Sequence, residues 1–269
     1  MSADKRVVEA IDVDTPSVAR MYDWLLGGTD NYPADRDACH KLLDIAPSTQ
    51  ALARINRAFL RRVVRHLAAE CGIRQFIDHG SGLPTQDNVH EIAQSVDRSS
   101  RVVYIDLDPI VLAHGRVVLQ ENDDTAVIRA DMRHTDTIFA HPQVERLIRP
   151  NEPVAALFVS VLHCIPDHDD PAALIRRVAA HLPSGSYMVI CQLVSQDAAI
   201  RDEVTDFMAH TTPEWGRVRA PEEVRAYFDG MDIVDPGLVE VSLWRPDSQV
   251  TPRQRTQEWQ EWGGVARIR

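Results

Sequence analysis

The stretch RQFIDHGSG, Arg74 to Gly82, decides the fold. An apolar run ends in Asp78-His79, and Gly80-Ser81-Gly82 breaks the chain before a helical pattern, PTQDNVHEIAQSV (84–96), begins at Pro84. This reads as a buried strand turning sharply into a helix. Glycine lets the backbone come close to a neighbour, and a helix N-terminus offers free N–H groups. Such a turn serves either tight packing or a nucleotide-like ligand. The dinucleotide fingerprint needs a third glycine three residues after the second, where this chain has Thr85. That disfavours a pyrophosphate, and no phosphate-loop motif is present.

Four more short apolar runs follow: RVVYIDLD (101–108), TAVIRAD (125–131), VAALFVSV (154–161) and SYMVICQLV (186–194). Helical patterns, PIVLAHGRVVLQE (109–121) and DPAALIRRVAAHL (170–182), lie between them; 136–149 shows no clear period. Continuous apolar strands separated by helices mean a parallel sheet covered on both faces. The right-handed crossover rule makes it a doubly wound, Rossmann-like α/β domain. After helical patterns near 197–210 and 220–230 come LVEVSLW (238–244) and GGVARIR (263–269). These are expected to close a mostly parallel, seven-stranded sheet as an antiparallel pair, with LVEVSLW alternating as a strand with one exposed face.

Before the sheet, residues 15–72 read as three helices. VARMYDWLL ends at Gly27 or Gly28, Pro33 opens ADRDACHKLLDIA, and Pro47-Ser48-Thr49 starts a longer helix that stops at Gly72. The expected organisation is a helical cap over 1–72 packed on a sheet domain over 73–269, in one compact unit.

Composition is that of an ordinary globular chain: of 269 residues, 44% are hydrophobic and 26% charged, enough for a large core. The apolar runs are too short to span a bilayer, and MSADKRVVEAIDVD lacks a signal-peptide core, so a cytoplasmic location is expected. Four separated cysteines without a CxxC pair fit a reducing compartment and argue against structural zinc. A net charge of −11 disfavours nucleic acid. The most basic run, RINRAFLRRVVR (54–65), reads as the exposed face of an amphipathic helix.

In such a fold ligands bind at the carboxyl ends of the strands. Asp78, Gly80 and Gly82 end the first strand. Asp106 ends the second, where a carboxylate can accept both hydroxyls of a ribose, while Asp108 suits a cap before Pro109. Asp131 and Met132 end the third, as an adenine contact or as a solvated loop. Ser160-Val161-Leu162-His163 ends the fourth; His163 either lines a reaction site or is a buried, hydrogen-bonded histidine. The cluster Asp167, His168, Asp169, Asp170 fits a cap for the next helix better than a metal, and no nucleophile elbow is present.

The motifs FIDHGSG, VVYIDLDP, AVIRADMR and ALFVSVLHCIPD, in this order, resemble those of class I S-adenosylmethionine-dependent methyltransferases. ARMYDWLLGGTDNYPADRDA, GLVEVSLWRPD and WGGVARIR resemble more closely an actinobacterial family of that superfamily, once catalogued as a domain of unknown function and named S-adenosyl methyltransferase. The resemblance covers about Thr15 to Arg269. It implies a cofactor loop of Asp78, Gly80, Ser81 and Gly82, Asp106 at the ribose, Asp131 and Met132 at the adenine, and Leu107 among the cofactor contacts. Ser160 and His163 would lie beside the methionine moiety or the acceptor. Pro84 departs from the glycine that many class I enzymes carry, which bears on how closely the loop approaches the ligand.

On this reading S-adenosyl-L-methionine is the cofactor and S-adenosyl-L-homocysteine the product. The turn Gly27-Gly28-Thr29-Asp30-Asn31-Tyr32 is expected to fold over the sheet edge as a lid. Tyr22, Gly28 and Asn31 would contact the cofactor; Trp24 is expected to glue the first helix to the body. The expected reaction is in-line methyl transfer to an unidentified, small-molecule acceptor. If the acceptor must lose a proton, His163 is the first candidate base, with Tyr22 and Tyr32 behind it. Trp215, Trp259 and Trp262 either line the acceptor pocket or pin the C-terminal strands. Two other functions fit less well: a non-catalytic binder of the cofactor acting through a partner, and an NAD-dependent oxidoreductase.

Overall fold

A computed structural model describes residues 12–84, 87–118, 122–213, 215–247 and 258–269. Thr85, the end of the helix expected over 109–121 and most of the loop before 263 lie outside them. The elements are α1 (Val18–Leu26), α2 (Pro33–Ile45), α3 (Thr49–Ala69), β1 (Gln75–His79), α4 (Val89–Val96), β2 (Arg101–Asp106), α5 (Pro109–Val118) and β3 (Thr125–Arg129). There follow α6 (Thr135–Phe139), α7 (Pro142–Leu147), β4 (Ala155–Val159), α8 (Pro171–His181), β5 (Tyr187–Val194), α9 (Ala198–Thr211) and α10 (Pro221–Arg225). Three strands, β6 (Asp232–Ile233), β7 (Val239–Glu240) and β8 (Gln260–Arg267), complete the described chain.

The strand order is β3-β2-β1-β4-β5-β8-β6, with β7 also on β8. Strands β1 to β5 are parallel, and β8 runs antiparallel to β5, β6 and β7. Connections run outward one way through β1, β2, β3 and the other way through β4, β5, so strand order reverses between β1 and β4. That is where an open α/β sheet leaves a crevice at its carboxyl edge. Alternating side chains fill both faces. Ile77, Val103 and Ile105 pack on one side with Leu147, Leu174 and Val178. Phe76, Val102 and Tyr104 pack on the other with Phe59, Val63 and Ile92.

The doubly wound fold stands, with two local corrections. The described sheet has eight strands, because the two-residue β6 and β7 both pair with β8. LVEVSLW is not an alternating strand: after Glu240 it tightens into a 3-10 turn, Val241–Leu243. The Glu240 side chain accepts from Ser242 N at 2.7 Å. Trp244 is fully buried, edge-on to Phe59 at 5.7 Å between centroids. The basic run on α3 is also not simply exposed. Arg62 is buried and donates to the carbonyls of Trp244 (2.9 Å) and Val241 (2.6 Å), tying that turn to α3.

The first two helices are locked by buried polar hubs. Arg20 Nε donates to both oxygens of Asp35 (3.0 and 2.8 Å), and Asp35 also accepts from the backbone N–H groups of Ser17 and Tyr32. Asp23 accepts from Asp30 N (2.9 Å) and Asn31 Nδ2 (2.8 Å). Both glycines of the turn follow from this. Gly27 takes a left-handed φ of +86°, and a Cβ on Gly28 would overlap the Asp23 carboxylate.

Candidate active site

A cavity of about 490 Å³ opens at the carboxyl edge of the sheet, beneath α1 and α3. That lies within the ~300–1,000 Å³ of small-molecule sites. One wall is the strand ends. Gly80 has φ +70°, and a Cβ there would overlap Val161 Cγ2 and press on Met132 Cε at 3.1 Å. Gly82, at φ +67°, would send a Cβ into open space. Asp106 anchors this loop: Oδ2 accepts from Gly82 N at 2.8 Å and Oδ1 from Asp108 N at 2.9 Å. Burial pushes its carboxyl up to about 6 against these hydrogen bonds. Asp78 is buried outright, and burial raises it to about 7 although Arg57 pulls the other way. Ser17, just before α1, donates to Asp108 at 2.6 Å and so fastens the helical cap to this edge.

Leu107, Asp131, Met132 and Ser160 stand on the same wall. The Asp131 carboxylate is taken up by Arg133, whose Nε lies 2.9 Å from each oxygen. Arg133 reaches on to Asp169, while Asp170 caps α8 through Ala173 N at 2.9 Å. Asp167 is held in turn by Arg217 (2.6 Å) and Arg219 (2.8 Å), so all three acids of the cluster have structural partners.

The opposite wall is apolar and comes from the cap and α9: Met21, Leu25, Leu42, Leu52 and Met208, with Leu193, Trp215 and Trp259. Tyr22 lines it too, but its hydroxyl donates to Ala53 O (3.1 Å) and accepts from Asn56 Nδ2 (2.9 Å). Burial raises the Tyr22 pKa well above 10, so it keeps its proton. Behind it the Cys191 thiol lies within hydrogen-bonding reach of Asn56 Oδ1 (3.0 Å) and of Glu261. Glu261 accepts from Ser160 Oγ at 2.5 Å, closing a polar chain from α1 to the end of β4.

The expectations for the lid turn and for His163 change here. Gly28, Asn31 and Tyr32 do not line the cavity. The turn they form is folded around Asp23, and Tyr32 packs with Leu83, Ile110 and Val111, so helix α1 itself, rather than the turn, covers the site. His163 does line it, but burial and the Arg219 charge lower its pKa to about 3, which makes it a poor proton acceptor. Its ring lies against Trp215 at 4.9 Å. Trp215 and Trp259 are on the wall, whereas Trp262 packs against the core on one sheet face. Trp24 sits edge-on to His40 in the cap. Sequence reasoning missed Asn56 and Glu261. The available signal for Glu261 was a period of two: Trp259, Glu261 and Gly263 share one buried face on entering β8.

The profile of a family described as S-adenosyl methyltransferase matches residues 4–269. The chain belongs to the S-adenosyl methyltransferase family. A solved structure of a DUF574 family protein from Streptomyces avermitilis MA-4680 is 36% identical, covering 97% of this chain and 100% of that one, at a TM-score of 0.89. A candidate methyltransferase from Thermobifida fusca YX is 38% identical, covering 96% and 97%, at a TM-score of 0.88. An O-methyltransferase family protein from Burkholderia thailandensis, 13% identical over 81% of this chain and 60% of that one, shares the fold (TM-score 0.52). No curated protein matches by sequence.

The protein is therefore an S-adenosylmethionine-dependent methyltransferase, and the binder and oxidoreductase alternatives give way. The cavity fits that cofactor, S-adenosyl-L-methionine. Gly80 admits no Cβ, Gly82 faces open space, and the buried Ser81 hydroxyl has no partner among the described residues. Several carboxylates on the wall match a cation. When bound, the cofactor supplies an electrophilic methyl group on a positively charged sulfur.

Proposed function

We propose that this family member methylates a small molecule seated against the apolar wall, with the cofactor along the strand ends. Asp106 would hold the ribose, Gly80-Ser81-Gly82 and Asp78 the methionine side, and Leu107, Asp131 and Met132 the adenine side. Ser160 and His163 would face the junction of the two ligands. The observation that carries this reading is one continuous cavity joining the strand ends to an apolar chamber beneath α1. The protein's work would be alignment for in-line displacement and exclusion of water. The cap, 1–72, would supply most of the acceptor wall, and 73–269 the cofactor wall.

Four unpaired cysteines support a reducing, cytoplasmic setting, and no described helix is long and apolar enough to cross a membrane. The charge of −11 supports a small acceptor over nucleic acid. The Streptomyces and Thermobifida relatives support an actinobacterial source. The test is calorimetric titration of S-adenosylmethionine and S-adenosylhomocysteine. Wild type should bind both, and Asp106→Ala should lose about a hundredfold in affinity, in line with charge-assisted hydrogen bonds of ~1.5–3 kcal/mol each. Equal affinity in a folded Asp106→Ala variant would refute the placement.

A further inference from the structure

We propose that Glu261 is the general base of the transfer, and that its acceptor is a neutral, largely apolar molecule presenting a weakly acidic hydroxyl, phenolic in type. The proposal rests on the functional reading above and assigns the acceptor side of that site.

Because β8 runs antiparallel to β5, its first residues lie at the carboxyl edge of the parallel strands, and Glu261 pairs with Leu193. Its side chain is 2% exposed yet lines the cavity. Ser160, held at a left-handed φ of +57° directly after β4, donates to it at 2.5 Å. Ser160 stands beside the point where strand order reverses, so Glu261 sits where the strand-end wall meets the apolar wall. Leu25, Leu52, Leu193, Met208 and Trp259 surround the chamber it faces. Burying a carboxylate in so apolar a chamber is costly, and the Ser160 and Cys191 hydrogen bonds offset part of that cost.

Its protonation suits that work. Burial lifts the Glu261 carboxyl to about 7, while Ser160 and Cys191 favour the ionised form. It therefore gains and loses a proton at neutral pH, where a general base is most effective. The titratable groups around it are Cys191 on β5, Tyr22 on α1 and Arg57 on α3, with Asp78 and His163 elsewhere on the cavity wall. Cys191 and Tyr22 stay protonated, since burial raises both. His163 stays neutral. Asp78 also titrates near 7, but belongs to the glycine-loop wall.

The acceptor class follows from what such a base is needed for. A neutral amine attacks through a lone pair it already has; a neutral hydroxyl is a weak nucleophile until its proton is drawn off. Asp78 and Asp106 share the cavity with Glu261, and Asp131 is already paired with Arg133, so once these acids ionise an acceptor arriving as an anion meets like charge there. In the step, the acceptor O–H bond breaks and its proton passes to the Glu261 carboxylate. The oxygen forms its bond to the methyl carbon, and the electron pair of the methyl–sulfur bond stays on sulfur.

The probe is 2-naphthol, titrated calorimetrically between pH 5.5 and 8 into full-length protein saturated with S-adenosylhomocysteine. 2-Methoxynaphthalene serves as the comparison that cannot donate. Wild type should bind 2-naphthol about tenfold tighter at pH 8 than at pH 5.5, since a hydrogen bond to a charged acceptor is worth about twice a neutral one. The methoxy compound should show the opposite trend. In Glu261→Gln both trends should vanish, with S-adenosylhomocysteine affinity within about threefold of wild type. Ser160→Ala, which removes a donor to the carboxylate, should move the midpoint of the naphthol trend to higher pH; it also decides the matter if Glu261→Gln does not fold. Failure of 2-naphthol to bind, or a pH trend that survives Glu261→Gln or is unmoved in Ser160→Ala, would overturn the proposal. Failure of wild type to bind S-adenosylhomocysteine would instead strike the functional reading beneath it.

Discussion

The strand-end wall of the cavity is shaped by backbone, whereas the helical wall is shaped by side chains. On the first, Gly80 and Gly82 hold positive φ, and Asp106 is fixed by the N–H groups of Gly82 and Asp108. On the second, Leu25, Leu42, Leu52 and Met208 present apolar surface from separate helices. Those helices keep their places through buried pairs, above all Arg20–Asp35. A backbone wall suits a constant ligand, because few substitutions can reshape it without strain. A side-chain wall can be recut by single changes, which suits the acceptor as the variable partner. The contrast predicts that damage to the cap registers chiefly as lost stability, and damage to the strand ends chiefly as lost cofactor.

The largest effect should come from Arg20→Ala. It leaves Asp35, fully buried, without its cation; breaking such a pair costs ~3–5 kcal/mol. Urea denaturation should show that loss, and stability within 1 kcal/mol of wild type would contradict the hub. Next is Gly80→Ala, which strains a left-handed position and forces Cβ into Val161. S-adenosylhomocysteine affinity should fall by ~10-fold or more, a loss of at least ~1.4 kcal/mol. If denaturation shifts while affinity holds, the two walls are not separable in this way.

The smallest effect concerns pH. Asp78 and Asp106 have folded pKa values of about 7 and about 6, above the ~3.9 of an unfolded aspartate. Each therefore keeps its proton in the folded apo-protein where the unfolded chain has lost it, between about pH 4 and its own folded pKa, and the stability these two groups contribute falls as pH rises through that window. Asp78→Asn should flatten the slope, measured as denaturation midpoints from pH 4 to 8. A slope unchanged by that substitution would remove Asp78 as its source.

How much of this was legible in the sequence follows the same division. FIDHGSG and VVYIDLDP could be read because each strand end carries its chemistry within a few residues: glycine for the turn, an acid for the hydroxyls. The sheet followed from continuous apolar runs. Glu261 was hidden because its meaning comes from Ser160, 101 residues earlier in the chain. Asn31 and Tyr32 looked like ligand contacts, but the Asn31 amide is taken up locally by Asp23, and Tyr32 is turned away by its backbone N–H bond to Asp35 and by packing on Leu83, Ile110 and Val111. In LVEVSLW, local alternation lost to burial of Trp244 against Phe59 and to capping by Glu240. His163 looked like a base by type alone, and burial removed its basicity.

The most direct measurement is a crystal structure of the protein soaked with S-adenosylhomocysteine. The account predicts density along the ends of β1, β2 and β3, with the ribose on Asp106, the adenine beside Met132 and the apolar chamber under α1 left open. Density for the nucleoside within that chamber, or away from the strand ends, would contradict it.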